Sequence, residues 1–157
     1  MIETGVDVME GGSLSFQEVG VDFVRYPPAF ELLNWDADQH LLLIRTGTEM
    51  GAVHFRSEEY EAEPPFEKTG WEEVQEVSAS FDTAIVRMLD FETDYQDFPD
   101  ESLISRPGGY RVRLYAVGRE SGVECQELDD DLVERYFLQL WPDPDVRPAT
   151  PVRRIGA

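Results

Sequence analysis

Cysteine is almost missing from this chain. Cys125 stands alone among 157 residues, so no intrachain disulfide forms and no cysteine-based zinc site is available. Its setting among acids disfavours a reactive thiolate. Histidine is nearly as scarce. His40 and His54 are the two, little material for a nucleophile–histidine–acid triad. Lysine is reduced to Lys68, the other 12 basic residues being arginine. The longest apolar run, Leu41–Ile44, is far too short to span a bilayer. Met1–Gly12 lacks the basic and apolar regions of a secretory signal, and the chain reads as cytoplasmic. No glycine-rich loop follows a strand pattern and opens a helix, so nucleotide binding has no support. The pattern calls for no cofactor and marks no catalytic residue and no metal ligand.

Acid is what the chain has in excess. With 33 acidic and 13 basic residues the formal charge is -20. Nucleic acid and anionic membrane surfaces are polyanions and would be repelled. A basic protein would be attracted; the alternative is that the charge serves solubility alone. Hydrophobic content of 41% is enough for a globular fold, and the length suits one domain with a substantial core.

The clearest element is Gly108–Arg119. Tyr110, Val112, Leu114 and Ala116 share one parity, and Arg111, Arg113, Tyr115 and Val117 the other. Period two is the mark of a strand. Pro107-Gly108-Gly109 punctuates its start and Gly118 its end. Leu132–Trp141 alternates in the same way and is the natural antiparallel partner. Met1–Gly12 reads as a loose leader, although Val6 and Val8 could add a short edge strand. Ser13–Arg25 is a strand whose apolar parity changes, which a bulge near Gln17 or a turn at Gly20 would reconcile. Pro27-Pro28 stops it. Phe30–Gln39 reads as a connection or short helix holding Trp35. Leu41–Arg45 and Ala52–Arg56 flank a glycine-containing loop and read as a β-hairpin. The unbroken apolar run of its first strand marks that strand as central and covered on both sides. Glu73–Phe81 and Thr83–Leu89 read as further strands. From Pro142 four prolines fall within ten residues, a polyproline-like tail. The expectation is an all-β, single-domain antiparallel β-sandwich of about seven or eight strands. It divides into a leader (1–12), the sandwich (13–141) and a Pro-rich tail (142–157).

The acids are bunched in three loops: Glu58–Glu67, Asp90–Glu101 and Glu120–Asp131. Aromatic residues accompany the first two. If these loops share one end of a sandwich, they form an acidic rim with aromatic anchors, suited to meeting a basic protein partner. The contact residues on this reading are Glu63, Phe66, Trp71, Asp94, Tyr95, Asp97, Phe98, Asp129 and Asp130. Against it stands the plainer reading that the aromatics are loop plugs and the acids are solvated. Asp90, Glu92, Asp94 and Glu101 match positions 1, 3, 5 and 12 of a calcium loop. Tyr95 occupies the position that needs glycine, however, and Pro99 interrupts the window, so a solvated acidic loop is the better reading. Arg111 and Arg113 read as cross-strand partners of acids on a neighbouring strand.

The Ser-Leu-Ser-Phe strand (Ser13–Phe16), the Pro27-Pro28 break, the Gly109-Tyr110 strand opening and the Tyr136 strand together resemble the competence-associated inhibitors of the DNA-entry nuclease, the ComJ-type family. The Pro-rich tail and the acidic loops have no counterpart in that pattern. The resemblance implies a small all-β protein that inhibits a nuclease by binding it. It carries over no functional residue. The leading expectation is therefore a non-enzymatic acidic binding protein of the inhibitor or immunity type, with a nuclease or toxin as partner. The alternatives are a sandwich holding a small ligand or divalent cation between loops, and a hydrolase using paired acids.

Overall fold

The computed structural model describes residues 1–8, 12–25, 31–89 and 101–155. Ten strands run in chain order: β1 (Ile2–Val8), β2 (Ser13–Glu18), β3 (Leu33–Asp36), β4 (Leu41–Arg45), β5 (Gly51–Glu59), β6 (Glu73–Phe81), β7 (Val86–Met88), β8 (Gly108–Val117), β9 (Arg135–Pro142) and β10 (Arg153–Arg154). The described residues contain no helix, hence none long and apolar enough to cross a membrane. One sheet has six strands in the order β1-β5-β9-β8-β6-β10, the other four in the order β3-β4-β2-β7.

The alternation that marks β8 decides the packing. Val112, Leu114 and Ala116 stand opposite Leu140, Leu138 and Tyr136 of β9, and all six join one core with residues of both sheets. Phe16 of β2 stacks on Phe55 of β5 across the gap at 5.0 Å, and Trp35 of β3 meets Phe81 of β6 edge-on at 5.1 Å. Such pairs join the sheets into a sandwich-like body. Gln75 adds a polar tie: fully buried on β6, its carbonyl accepts the Leu33 N–H of β3 at 2.8 Å.

Several expectations are corrected. Leu41–Arg45 and Ala52–Arg56 do not form a hairpin. β4 lies between β3 and β2 in the small sheet, while β5 lies between β1 and β9 in the large one. The loop between them is a bridge from sheet to sheet. β5 and β9 run parallel, His54 opposite Arg135 and Glu59 opposite Leu140, so the large sheet is mixed rather than antiparallel. Within the leader, Ile2–Val8 is strand β1 rather than loose chain: the edge strand anticipated at Val6 and Val8 runs longer, its Ile2, Val6 and Val8 are buried, and it pairs with β5 along its full length at the sheet edge. The connection around Trp35 is strand β3, made by register with β4 rather than by helical spacing. β2 stops at Glu18, and Gly20, at φ +94°, takes the turn anticipated there. The Pro-rich tail folds back, and β10 pairs with the edge of β6. The described residues hold ten strands rather than seven or eight: β3 and β10 are short edge strands that alternation does not mark, and β1 lies in the stretch read as a loose leader.

Candidate functional site

The outer face of the large sheet is where three of the anticipated contact residues meet. After β5 the chain turns at Tyr60 and runs back along β8 as a strap. Glu63 reaches Arg113 at 3.4 Å. Phe66 meets the Tyr115 ring edge-on at 5.6 Å, and Trp71 lies between Tyr115 and Phe137 at 5.8 and 6.0 Å. Phe66 and Trp71 thus cover a small apolar cluster of Val74, Tyr115 and Phe137 together with Ile155 of the tail. Both rings are half-buried and serve as plugs. Glu63 remains exposed.

Beneath the strap lies an ion network. Arg111 and Arg113 are buried, at 3% and 4% exposure. Each donates to a different oxygen of Glu76 on β6, at 3.1 and 2.9 Å. Burial works to raise the Glu76 carboxyl, but the hydrogen bonds from Arg113 and Arg111 outweigh it and hold the group below the usual range. Arg113 also stacks over Trp141 at 4.8 Å. Cross-strand pairing, as anticipated from the sequence, removes these two cations from the surface.

His54, Arg56 and Arg135 line a cavity of about 210 Å³ with Glu3, Val117 and the strap residues Thr69–Trp71. Burial lowers the His54 pKa, Arg135 lowers it further, and Glu3 opposes both. His54 is neutral at pH 7 and sits across the strand pair from β1, its ring 3.9 Å from Glu3.

Asp129 and Asp130 stand elsewhere, in the long loop between β8 and β9. The loop's backbone is anchored. Glu134 is buried and accepts the N–H groups of Gly47 and Thr48 at 2.9 Å each. Glu124 accepts the Thr48 hydroxyl at 2.6 Å. That bond, with N–H donation from Met50 and Glu49, holds the Glu124 carboxyl below its usual range. A Cβ at Gly47 would lie 2.1 Å from the Arg119 carbonyl oxygen, and one at Gly51 (φ +129°) 2.7 Å from the Cys125 nitrogen, so only glycine lets the loops cross so closely. Within this frame Asp130 caps its own turn, accepting the Glu127 N–H at 2.8 Å. Glu127, Asp129, Asp130 and Asp131 are exposed, and among the described residues none of the four forms an ion pair.

The first and third acidic loops do not leave from a single end: β5 enters the first at Glu59, opposite Leu140 and at the far end of β9 from Arg135. Gly118 and Arg135 open and close the β8–β9 loop at one end of β8. Glu101–Pro107, the described flank of the middle loop, approaches the other, where Ser105 donates its N–H to Glu59 at 3.0 Å. Asp94, Tyr95, Asp97 and Phe98, with most of the calcium-loop window, lie outside the described residues.

One grouping able to hold a metal went unmarked in the sequence: Glu18, His40 and Asp82 bring a ligand atom each within 4.8 Å of one another. Their separation along the chain hides them. The only local hint is that His40 opens a strand directly after a turn.

No family model matches the chain, and no curated protein matches it. Among solved structures the chain is similar to one described as crocagin biosynthetic gene J, with a TM-score of 0.53 and 17% identity over 90% of this chain and 96% of that one. At that identity the likeness shows a shared fold.

Proposed function

We propose that the chain is a non-enzymatic binding protein of the inhibitor or immunity type, which engages a basic protein through its acidic surface; a nuclease or toxin fits that chemistry. The observation that carries the reading is a division of labour among the carboxylates. Glu76, Glu124 and Glu134 are committed to holding strands and loops together. Glu127, Asp129, Asp130 and Asp131 share a backbone-anchored loop and face solvent without counter-ions among the described residues. Unpaired like charges on a fixed frame repel one another, and a cationic partner relieves that repulsion. Because the frame is already ordered, little conformational entropy is lost on docking.

With Phe66 and Trp71 committed to the strap, contact falls to the exposed acids, Asp129 and Asp130 on the β8–β9 loop and, apart from them, Glu63 on the strap. Such a surface contributes encounter rate and selectivity more than residence time. Charge reversal tests it. In the Asp129→Lys/Asp130→Lys chain, association with the basic partner slows by about tenfold at low salt and its salt dependence flattens. Unchanged kinetics would remove this loop from the interface.

A further inference from the structure

Three elements end together on one side of the fold. β2 ends on Glu18, the turn between β3 and β4 ends on His40, and Asp82 directly follows β6. One ligand atom of each lies within 4.8 Å of the other two. We propose that Glu18, His40 and Asp82 form a binding site for a first-row divalent cation, with zinc(II) as its representative. The inference is independent of the docking surface, which lies on other loops.

The distance between the inner pair is the first argument. His40 Nδ1 stands 3.4 Å from Glu18 Oε1. That is long for an N–H···O hydrogen bond, whose usual range is about 2.7–3.2 Å. It equals the separation of about 3.4 Å between two ligands of a tetrahedral ion with bonds of about 2.1 Å. Asp82 is exposed, and a rotation of its free carboxylate closes the third side.

The second argument is the support behind each ligand. The residue before Glu18 is Gln17, and the residue before His40 is Gln39; both are buried. Gln17 donates to the Gln39 carbonyl at 2.8 Å. The Gln39 side chain accepts the Val24 N–H at 2.8 Å and donates to the Arg25 carbonyl at 2.8 Å and to Asp36 at 3.0 Å. Glu18 Oε1 in turn accepts the Asp82 N–H at 2.6 Å, and that oxygen retains a lone pair. His40 itself adopts φ +50° to present its ring. A locked backbone behind adjacent ligands is what a pre-organised cation site requires.

Electrostatics is the third. Glu18 is 4% exposed, a second carboxylate stands beside it, and among the described residues neither pairs with an arginine or lysine. A divalent cation offsets the repulsion between them. The donor set of one imidazole nitrogen and two carboxylate oxygens favours a borderline ion over calcium, which takes six to eight oxygens. His40 is one-quarter exposed, at 24%, so an ion has a path in and keeps a position open to water.

Trp35 supplies a reporter, its ring 6.1 Å from that of His40. The test is calorimetric titration of the metal-free full chain with zinc(II), with cobalt(II) quenching of tryptophan fluorescence in parallel. Asparagine tolerates the left-handed backbone at position 40, and Asp82 is exposed, so His40→Asn and Asp82→Asn leave the fold intact; circular dichroism verifies this. One-to-one zinc binding is expected, weakened by about tenfold or more in each variant. The cobalt quench is lost in Trp35→Phe, and equimolar calcium does not displace zinc. Absence of saturable zinc binding, unchanged affinity in both variants, or displacement by equimolar calcium would overturn the proposal.

Discussion

Glu134 reaches back to Thr48, accepting its main-chain N–H at 2.9 Å, and by this bond a carboxylate just before β9 holds the loop that carries the chain from the small sheet to the large one. The same side chain takes the Gly47 N–H and the Tyr136 hydroxyl. Burial, with Glu134 beside it, pushes the Tyr136 hydroxyl far above its ordinary pKa, so it stays a donor. Glutamine at 134 would keep the shape but offer one acceptor oxygen in place of two charged ones. Glu134→Gln is expected to lower stability by about 1–3 kcal/mol, as measured by urea unfolding.

The Glu76 network predicts a pH dependence. Its carboxyl is held below the ordinary value of 4.5 in the folded chain. The folded state therefore binds fewer protons than the unfolded state in this range. The stabilisation is present above about pH 4.5 and is lost as pH falls through the lower folded value. Glu76→Gln removes that component and leaves Arg111 and Arg113 buried without their shared counter-charge, at a cost of about 3 kcal/mol near neutral pH. Urea midpoints between neutral and acidic pH check both. The variant's stability should fall less steeply than the parent's below pH 4.5.

The tail is part of the fold. The Thr150 hydroxyl accepts the Glu76 N–H at 2.9 Å, and its carbonyl accepts the Gln75 amide at 3.0 Å. Thr150→Val keeps the shape and removes the hydroxyl acceptor, with an expected loss of about 1 kcal/mol. Removing the segment from Val146 onward uncovers the β6 edge, and self-association should then rise, seen by light scattering.

What was legible in the sequence was whatever is written locally. The alternation of Gly108–Arg119 and Leu132–Trp141 predicts both strands, their pairing and which residues share a face, because period two depends on neighbours alone; the structure trims them to Gly108–Val117 and Arg135–Pro142. Glu73–Phe81 was legible for the same reason, and the buried run Leu41–Ile44 announces a central strand. The assignment of β4 and β5 to different sheets was not legible. It rests on Glu134 and on the close crossing of Gly47 with Arg119, both remote in sequence. The parallel pairing of β5 with β9 has no local signal either. For the candidate sites, the acids were plain to read but their duties were not. Glu124 and Asp129 look alike in sequence, yet one fastens a loop and the other faces solvent. Glu18, His40 and Asp82 are joined only by the meeting of three strand ends.

The proposed role as an acidic binding protein is tested most directly by affinity capture from the source lysate. The parent chain and the Asp129→Lys/Asp130→Lys chain are used side by side at low and moderate salt, and the retained proteins are identified by mass spectrometry. The account predicts one basic protein held by the parent at low salt, released as salt rises and absent from the variant. Equal retention on both chains, or no protein retained at either salt, would contradict it.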